Sequence, residues 1–152
     1  MATANFENLA AESGSFLTNL LGLKVTVSES TAPDPVAVVA AYVDSNDVER
    51  AQILCDLSSA AMLGAALTQI PMGSVEDSIE CGELSDNLKE NVSEVFNISV
   101  NVLPNHDTHR FVLKEVRFGE EATSSDDVTQ SEDFEIEVQR YGKGHLRIAQ
   151  LG

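Results

Sequence analysis

The stretch LSDNLKENVSEVFNISVNVL, residues 84–103, admits few structures. Leu84, Leu88, Val92, Val95, Phe96, Ser99, Val102 and Leu103 recur at the spacing of a helix with one buried stripe. Ser85 is a good N-cap, Asp86 suits the positive end of the helix dipole, and Pro104 is expected to close the other end. A helix this one-sided is stable only against a core, so the remaining chain has to supply the surface that receives it.

The flanking segments supply strands. LKVTVSE alternates, TAPDP breaks it, and PVAVVAAYVD and VERAQILCDL flank the polar turn SND as a hairpin of largely buried strands. Residues 5–21 have near-helical apolar spacing, with Gly22 as a stop. Asp56 or Ser58 is expected to cap a small-residue helix, SAAMLGAALTQI, that Pro71 and Gly73 end. Ser74 then opens a short acidic helix in capping-box fashion with Asp77. After residue 103, RFVLKEVRF, DFEIEVQRY and HLRIAQL read as three more strands, with no internal repeat visible. The link at about 119–133, GEEATSSDDVTQSED, reads as an acidic mobile loop or long hairpin tip; it lacks the residue order of a calcium loop. The fold expected is α+β, an antiparallel sheet with long helices packed on it, in a single domain over 1–152.

Charge narrows the partners. Nine Lys and Arg stand against 25 Asp and Glu, a formal net charge of −16, which repels nucleic-acid phosphates and anionic lipid headgroups. A protein target with basic residues suits this surface better. No apolar run approaches the length of about 20 residues that spans a membrane, and the first 16 residues lack the features of a secretory signal. Cys55 and Cys81 have no CxxC spacing and read as buried reduced thiols, so a cytoplasmic address is expected.

The far side of the 84–103 helix carries the functional signal. At about 100° per residue, and with Glu90 set at zero, Glu94 falls at about 40°, Asn97 at about −20° and Asn101 at about 20°. Asparagine is a mediocre helix former, and neither glutamate has an (i, i+4) lysine, so solvation alone is a poor reason for this line. The face holds no histidine, thiol or activated serine for nucleophilic catalysis. A carboxylate and a carboxamide at (i, i+3) can instead enter a partner's cleft together. The carboxylate would pair with a cation there, and the amide would hold a water molecule in line for attack. Hydrolysis of an acyl phosphate asks for little more than such alignment and charge stabilisation.

Glu94-x-x-Asn97, on a long helix that follows a small-residue helix and a short acidic one, resembles the motif of the CheC/CheX/FliY chemotaxis phosphatases. With one copy, and Glu12-x-x-Ser15 as a faint echo in the first helix, the chain is similar to the single-site CheX type. The resemblance implies hydrolysis of the aspartyl phosphate on a phosphorylated, CheY-type response regulator. Glu94 would dock to the regulator's lysine and Asn97 would orient the attacking water. It implies Mg²⁺ on the regulator, no metal or cofactor held by this chain, and the possibility of a homodimer. Two positions depart from the family pattern: Glu90 stands where Asp or Ser is usual and Asn101 where Gly is frequent, which makes both candidate partner-binding residues. The alternative is a non-catalytic module on the same fold that binds a response regulator or motor component. Elsewhere, His106 and His109 in NHDTHR read as loop polarity, the glycines beside His145 as positive-φ turn residues, and Met72 and Phe118 as core or turn staples.

Overall fold

Among the residues that the computed structural model describes, 9–30, 35–103 and 110–152, the chain runs α1 (Leu9–Leu21), β1 (Val25–Glu29), β2 (Val38–Val43), β3 (Glu49–Cys55), α2 (Leu57–Leu67), α3 (Met72–Cys81), α4 (Asp86–Ile98), a 3-10 turn (Ser99–Val102), β4 (Val112–Phe118), a second 3-10 turn (Gly119–Glu121), β5 (Val128–Val138) and β6 (Gly142–Leu151). The strands form one six-stranded sheet in the order β1-β5-β6-β3-β2-β4. Every adjacent pair is antiparallel. This is the expected α+β architecture. The segments containing Pro104, His106 and His109, the start of the first helix, and most of TAPDP lie outside the described residues.

Sheet order reveals what the sequence hides. Helix and three strands occur twice, and the two sets interleave about the central β3–β6 pair, where Ile53 faces Ile148 in mid-register. A two-fold there exchanges β1 with β4, β2 with β5, β3 with β6, and α1 with α4. The internal repeat is therefore topological, and in the residues only Glu12-x-x-Ser15 on α1 faintly echoes Glu94-x-x-Asn97 on α4.

Alternation assigns the faces. Val38, Ala40 and Tyr42 of β2, Ile53 and Cys55 of β3, Phe134, Ile136 and Val138 of β5, and Leu146 and Ile148 of β6 enter the main core with the helices. On the reverse face Val39, Leu54 and Ala149 form a second cluster under Ala122. Strand β2 is buried along its whole length, hence its unbroken apolar run. The reverse face of the β5–β6 hairpin is polar, with Asp133, Glu135 and Glu137 opposite Arg147, His145 and Lys143. Arg147 Nε lies 2.7 Å from Asp133 Oδ1.

Several expectations need correction. The 119–133 stretch is not a free loop. Val128–Val138 is one long strand, because its polar residues pair through their backbones with β6. The part before it crosses the reverse face of the sheet, where Ser125 N–H donates to Gln52 Oε1 at 3.3 Å and Gly119 N–H to the Ala37 carbonyl at 3.0 Å. Pro71 and Gly73 do not end the small-residue helix. Pro71 precedes the first turn of α3, Gly73 lies within it, and Ser74 is not its cap. Gly144 serves close approach rather than positive φ: a Cβ there would lie 2.9 Å from Ser59 N and closer still to Ser59 Oγ. Gly142, at φ 124°, fits the turn role. Cys55 is buried and Cys81 exposed, both as free thiols. Met72 is exposed, whereas Phe118 packs against the core.

The β2–β3 turn is fastened by Asp44. Its Oδ1 accepts from the N–H groups of Asn46 and Val48 at 2.8 and 3.1 Å, and Oδ2 accepts from Arg50 Nε at 2.9 Å. The Arg50 hydrogen bond first, then the backbone donors, hold this carboxyl below the ordinary value of 3.8. The carboxylate's stabilising effect is thus complete above that ordinary value and is lost as pH falls through the depressed one. Urea unfolding of wild type and Asp44→Asn, compared at stepwise lower pH, is expected to show a stability gap that is constant near neutrality and closes in acid. A gap independent of pH would contradict this role.

Candidate functional site

The strip is built on α4, and α4 is held on three sides. At its start, Ser85 Oγ accepts from Leu88 N–H at 3.3 Å, the expected N-cap. Leu88, Val92, Val95 and Phe96 are buried. Each such side chain contributes about 1.5–3 kcal/mol relative to exposure. The helix backbone approaches α2 closely: a Cβ on Gly64 would lie 2.8 Å from the Leu88 carbonyl oxygen. Asn91 Nδ2 fastens the pair by donating to the Gly64 carbonyl and to Thr68 Oγ1, both at 2.9 Å. From the sheet, Tyr42 Oη donates to the Phe96 carbonyl at 2.7 Å. On the β4 side, Lys89 Nζ sits 5.3 Å from the centre of the Phe118 ring.

The helical run ends at Val102, and Leu103, the residue before Pro104, is extended, as the proline leads one to expect. The α-helix stops at Ile98 and tightens into the 3-10 turn, and three of its final carbonyls are satisfied by side chains. Ser99 Oγ donates to the Val95 carbonyl at 2.6 Å, Tyr42 to that of Phe96, and Asn101 Nδ2 to that of Ile98 at 2.9 Å. Asn101 therefore leaves the regular helical line, and its amide caps the helix that carries the motif.

Glu90, Glu94, Asn97 and Asn101 are all exposed. Among the described residues the side chains of Glu90, Glu94 and Asn97 make no hydrogen bond or ion pair. Glu94 and Asn97 stand one turn apart, with Cβ atoms about 5–6 Å from each other. The last turn of α4 contains no basic residue, so nothing there offsets the negative end of the helix dipole next to Glu94, while Glu90 stands nearer the helix start. The strip is thus an anchored, unpaired line that presents negative charge and one free carboxamide. It can receive an ammonium group and align a hydrogen-bonded water molecule.

Two buried groups nearby keep their protons. Burial first, with Cys55 a lesser cause, pushes the Tyr42 phenol well up, so it remains a donor at neutral pH. Burial first, then Asp56, raises Cys55, which leaves a neutral thiol without nucleophilic character.

Tyr42, Gly64 and Asn91 escaped the sequence reading although each left a signal. Tyr42 is an aromatic with a hydroxyl in an otherwise aliphatic strand, and a buried hydroxyl needs a partner. Gly64 interrupts a helix interior, which marks close packing. Asn91 is a carboxamide beside the core face. Glu12 and Ser15 are exposed on α1, the helix that the two-fold exchanges with α4.

No family model matches the sequence, and no curated protein matches it either. Solved structures match its shape. The middle domain of FliM from H. pylori superposes with a TM-score of 0.65 at 10% identity, over 95% of this chain and 86% of that one. FliY from Thermotoga maritima gives 0.57 at 16% identity, over 95% and 84%. CheX from Borrelia burgdorferi, in a complex with CheY, BeF3 and Mg²⁺, gives 0.52 at 15% identity, over 99% and 100%. The fold is therefore the one that the CheC/CheX/FliY motif led us to expect; identities this low speak for the fold alone.

Seating α4 against α2 depends on the missing Cβ at position 64. Gly64→Ala is expected to force the helices apart and to lower the unfolding free energy by about 1–3 kcal/mol. Urea denaturation measures it, and an unchanged midpoint would mean that the two backbones can separate without cost.

Proposed function

We propose that this chain is a CheX-like phosphatase that hydrolyses the aspartyl phosphate of a phosphorylated, CheY-type response regulator. The observation that carries the reading is the pairing of Glu94 with Asn97: both exposed and unpartnered, on a helix held rigidly by the sheet and α2. The shared fold with a CheX that forms a complex with CheY, BeF3 and Mg²⁺ supports it.

In this reading Glu94 pairs with a lysine beside the regulator's phosphorylation site, which brings Asn97 into the same cleft. The Asn97 carboxamide accepts a hydrogen bond from a water molecule, or donates one to it, and holds it in line with the phosphorus. Water attacks, the bond between phosphorus and the aspartyl oxygen breaks, and inorganic phosphate leaves as the aspartate carboxylate is regenerated. Mg²⁺ on the regulator stabilises the transferring phosphoryl group, and this chain supplies position. Glu90 lengthens the negative strip toward the helix start and contributes to docking.

A second reading keeps the docking and drops the turnover: a module that binds a response regulator or motor component without catalysis. Its support is the higher TM-score with the FliM middle domain, together with the departures at Glu90 and Asn101.

Phosphate release from a phosphorylated CheY-type receiver with Mg²⁺ separates the two. Asn97→Ala is expected to slow accelerated hydrolysis by about a hundredfold or more while binding persists. Glu94→Gln is expected to weaken docking by about tenfold or more, seen as a raised KM. Binding without acceleration by the wild-type protein would exclude catalysis and leave the adaptor.

A further inference from the structure

The hydrogen bond from Tyr42 singles out one peptide. The carbonyl that accepts it belongs to the peptide unit joining Phe96 to Asn97, so the bond fixes the plane from which Asn97 leaves the helix. The neighbouring carbonyls of Val95 and Ile98 are capped from within the helix end, by Ser99 and Asn101. Among the described residues, Phe96 carries the one α4 carbonyl that a strand side chain holds.

The sheet is deformed on both sides of this tyrosine. Against β3, the partners of Tyr42 and Val43 are Ala51 and Glu49, with Arg50 as the extra residue. Against β4, the partners of Ala41 and Tyr42 are Glu115 and Leu113, with Lys114 as the extra residue. Such bulges increase local twist and re-aim side chains. Both extra residues are basic and both are tied to the β2–β3 turn. Arg50 Nε lies 2.9 Å from Asp44 Oδ2, and Lys114 Nζ lies 3.2 Å from Asp47 Oδ2. A well-packed aliphatic strand needs neither device, and a phenol that has to reach one carbonyl is served by both.

We propose that Tyr42 is a positioning residue for Asn97: flanked by paired bulges, it locks the peptide before Asn97 to the sheet and so sets where the carboxamide stands. Its catalytic consequence rests on the phosphatase reading above. A water molecule held for in-line attack tolerates little displacement, and a misplacement of about 1 Å can cost about a hundredfold in rate. Removing the phenol oxygen leaves the ring in place and frees the last turn of α4.

The test compares Tyr42→Phe with Ser99→Ala, which removes a hydrogen bond to the adjacent Val95 carbonyl and so controls for simple weakening of the helix end. Two readouts are taken: steady-state hydrolysis of a phosphorylated CheY-type receiver with Mg²⁺, and ¹⁵N relaxation of Asn97 in the protein without partner. Tyr42→Phe is expected to lower kcat about tenfold at unchanged KM and to make the Asn97 backbone and side-chain amides more mobile, whereas Ser99→Ala leaves both readouts near wild type. Wild-type kcat in Tyr42→Phe, or equal losses in the two variants, would overturn the proposal. If wild type itself does not accelerate hydrolysis, the phosphatase reading fails separately. Asn97 relaxation then decides alone, and amides as rigid in Tyr42→Phe as in wild type would refute positioning.

Discussion

Gly64 lets the backbone of α4 lie against α2 at a distance where a single methyl group would collide with the Leu88 carbonyl. From that contact the other features follow. Close seating places Asn91 within reach of Gly64 and Thr68, turns the Leu88–Val92–Val95–Phe96 stripe into the sheet, and leaves the opposite line of side chains in water. It also brings the helix end over Tyr42, so the helix is fastened to α2 along its flank and to β2 at its last turn.

A surface this acidic ordinarily offsets part of its repulsion with local pairs, and several are present: Asp133 with Arg147, Glu49 with Arg117, Asp44 with Arg50. Such pairs contribute little energy individually, but they show where the few basic residues are used. None is used on the exposed line of α4. There Glu90 and Glu94 keep their charges unpaired among the described residues, and Glu94 stands next to the negative end of the helix. A cationic group brought against this line would relieve that repulsion.

The parts of the fold legible in the sequence were those set by local rules. Ser85 and Asp56 cap the helices as read, because an N-cap depends on one side chain and a few nearby amides. The hairpin around Ser45, Asn46 and Asp47 was legible from its polar turn between apolar runs. Features fixed by distant residues were not legible. The end of α4 is set by Tyr42, about fifty residues away in sequence, and by Ser99 and Asn101, which bond backward. The change from α-helix to 3-10 turn at Ser99, which moves Asn101 off the regular helical line, therefore had no local signal. Polar composition at 128–133 suggested a loop, because strand pairing through the backbone makes no demand on side chains that one sequence reveals. The shared exposed face of Glu94 and Asn97 was legible from helical spacing, and the residues that hold their helix were not.

The central claim is that the exposed line of α4 is the surface a receiver domain meets. The most direct test is to titrate ¹⁵N-labelled protein with a beryllofluoride-activated CheY-type receiver and Mg²⁺, following every backbone amide. The account predicts that perturbations concentrate on Glu90, Glu94, Asn97 and their neighbours on the wet side of α4. Perturbations confined to α1 or to the polar reverse face of the β5–β6 hairpin, with α4 silent, would contradict it.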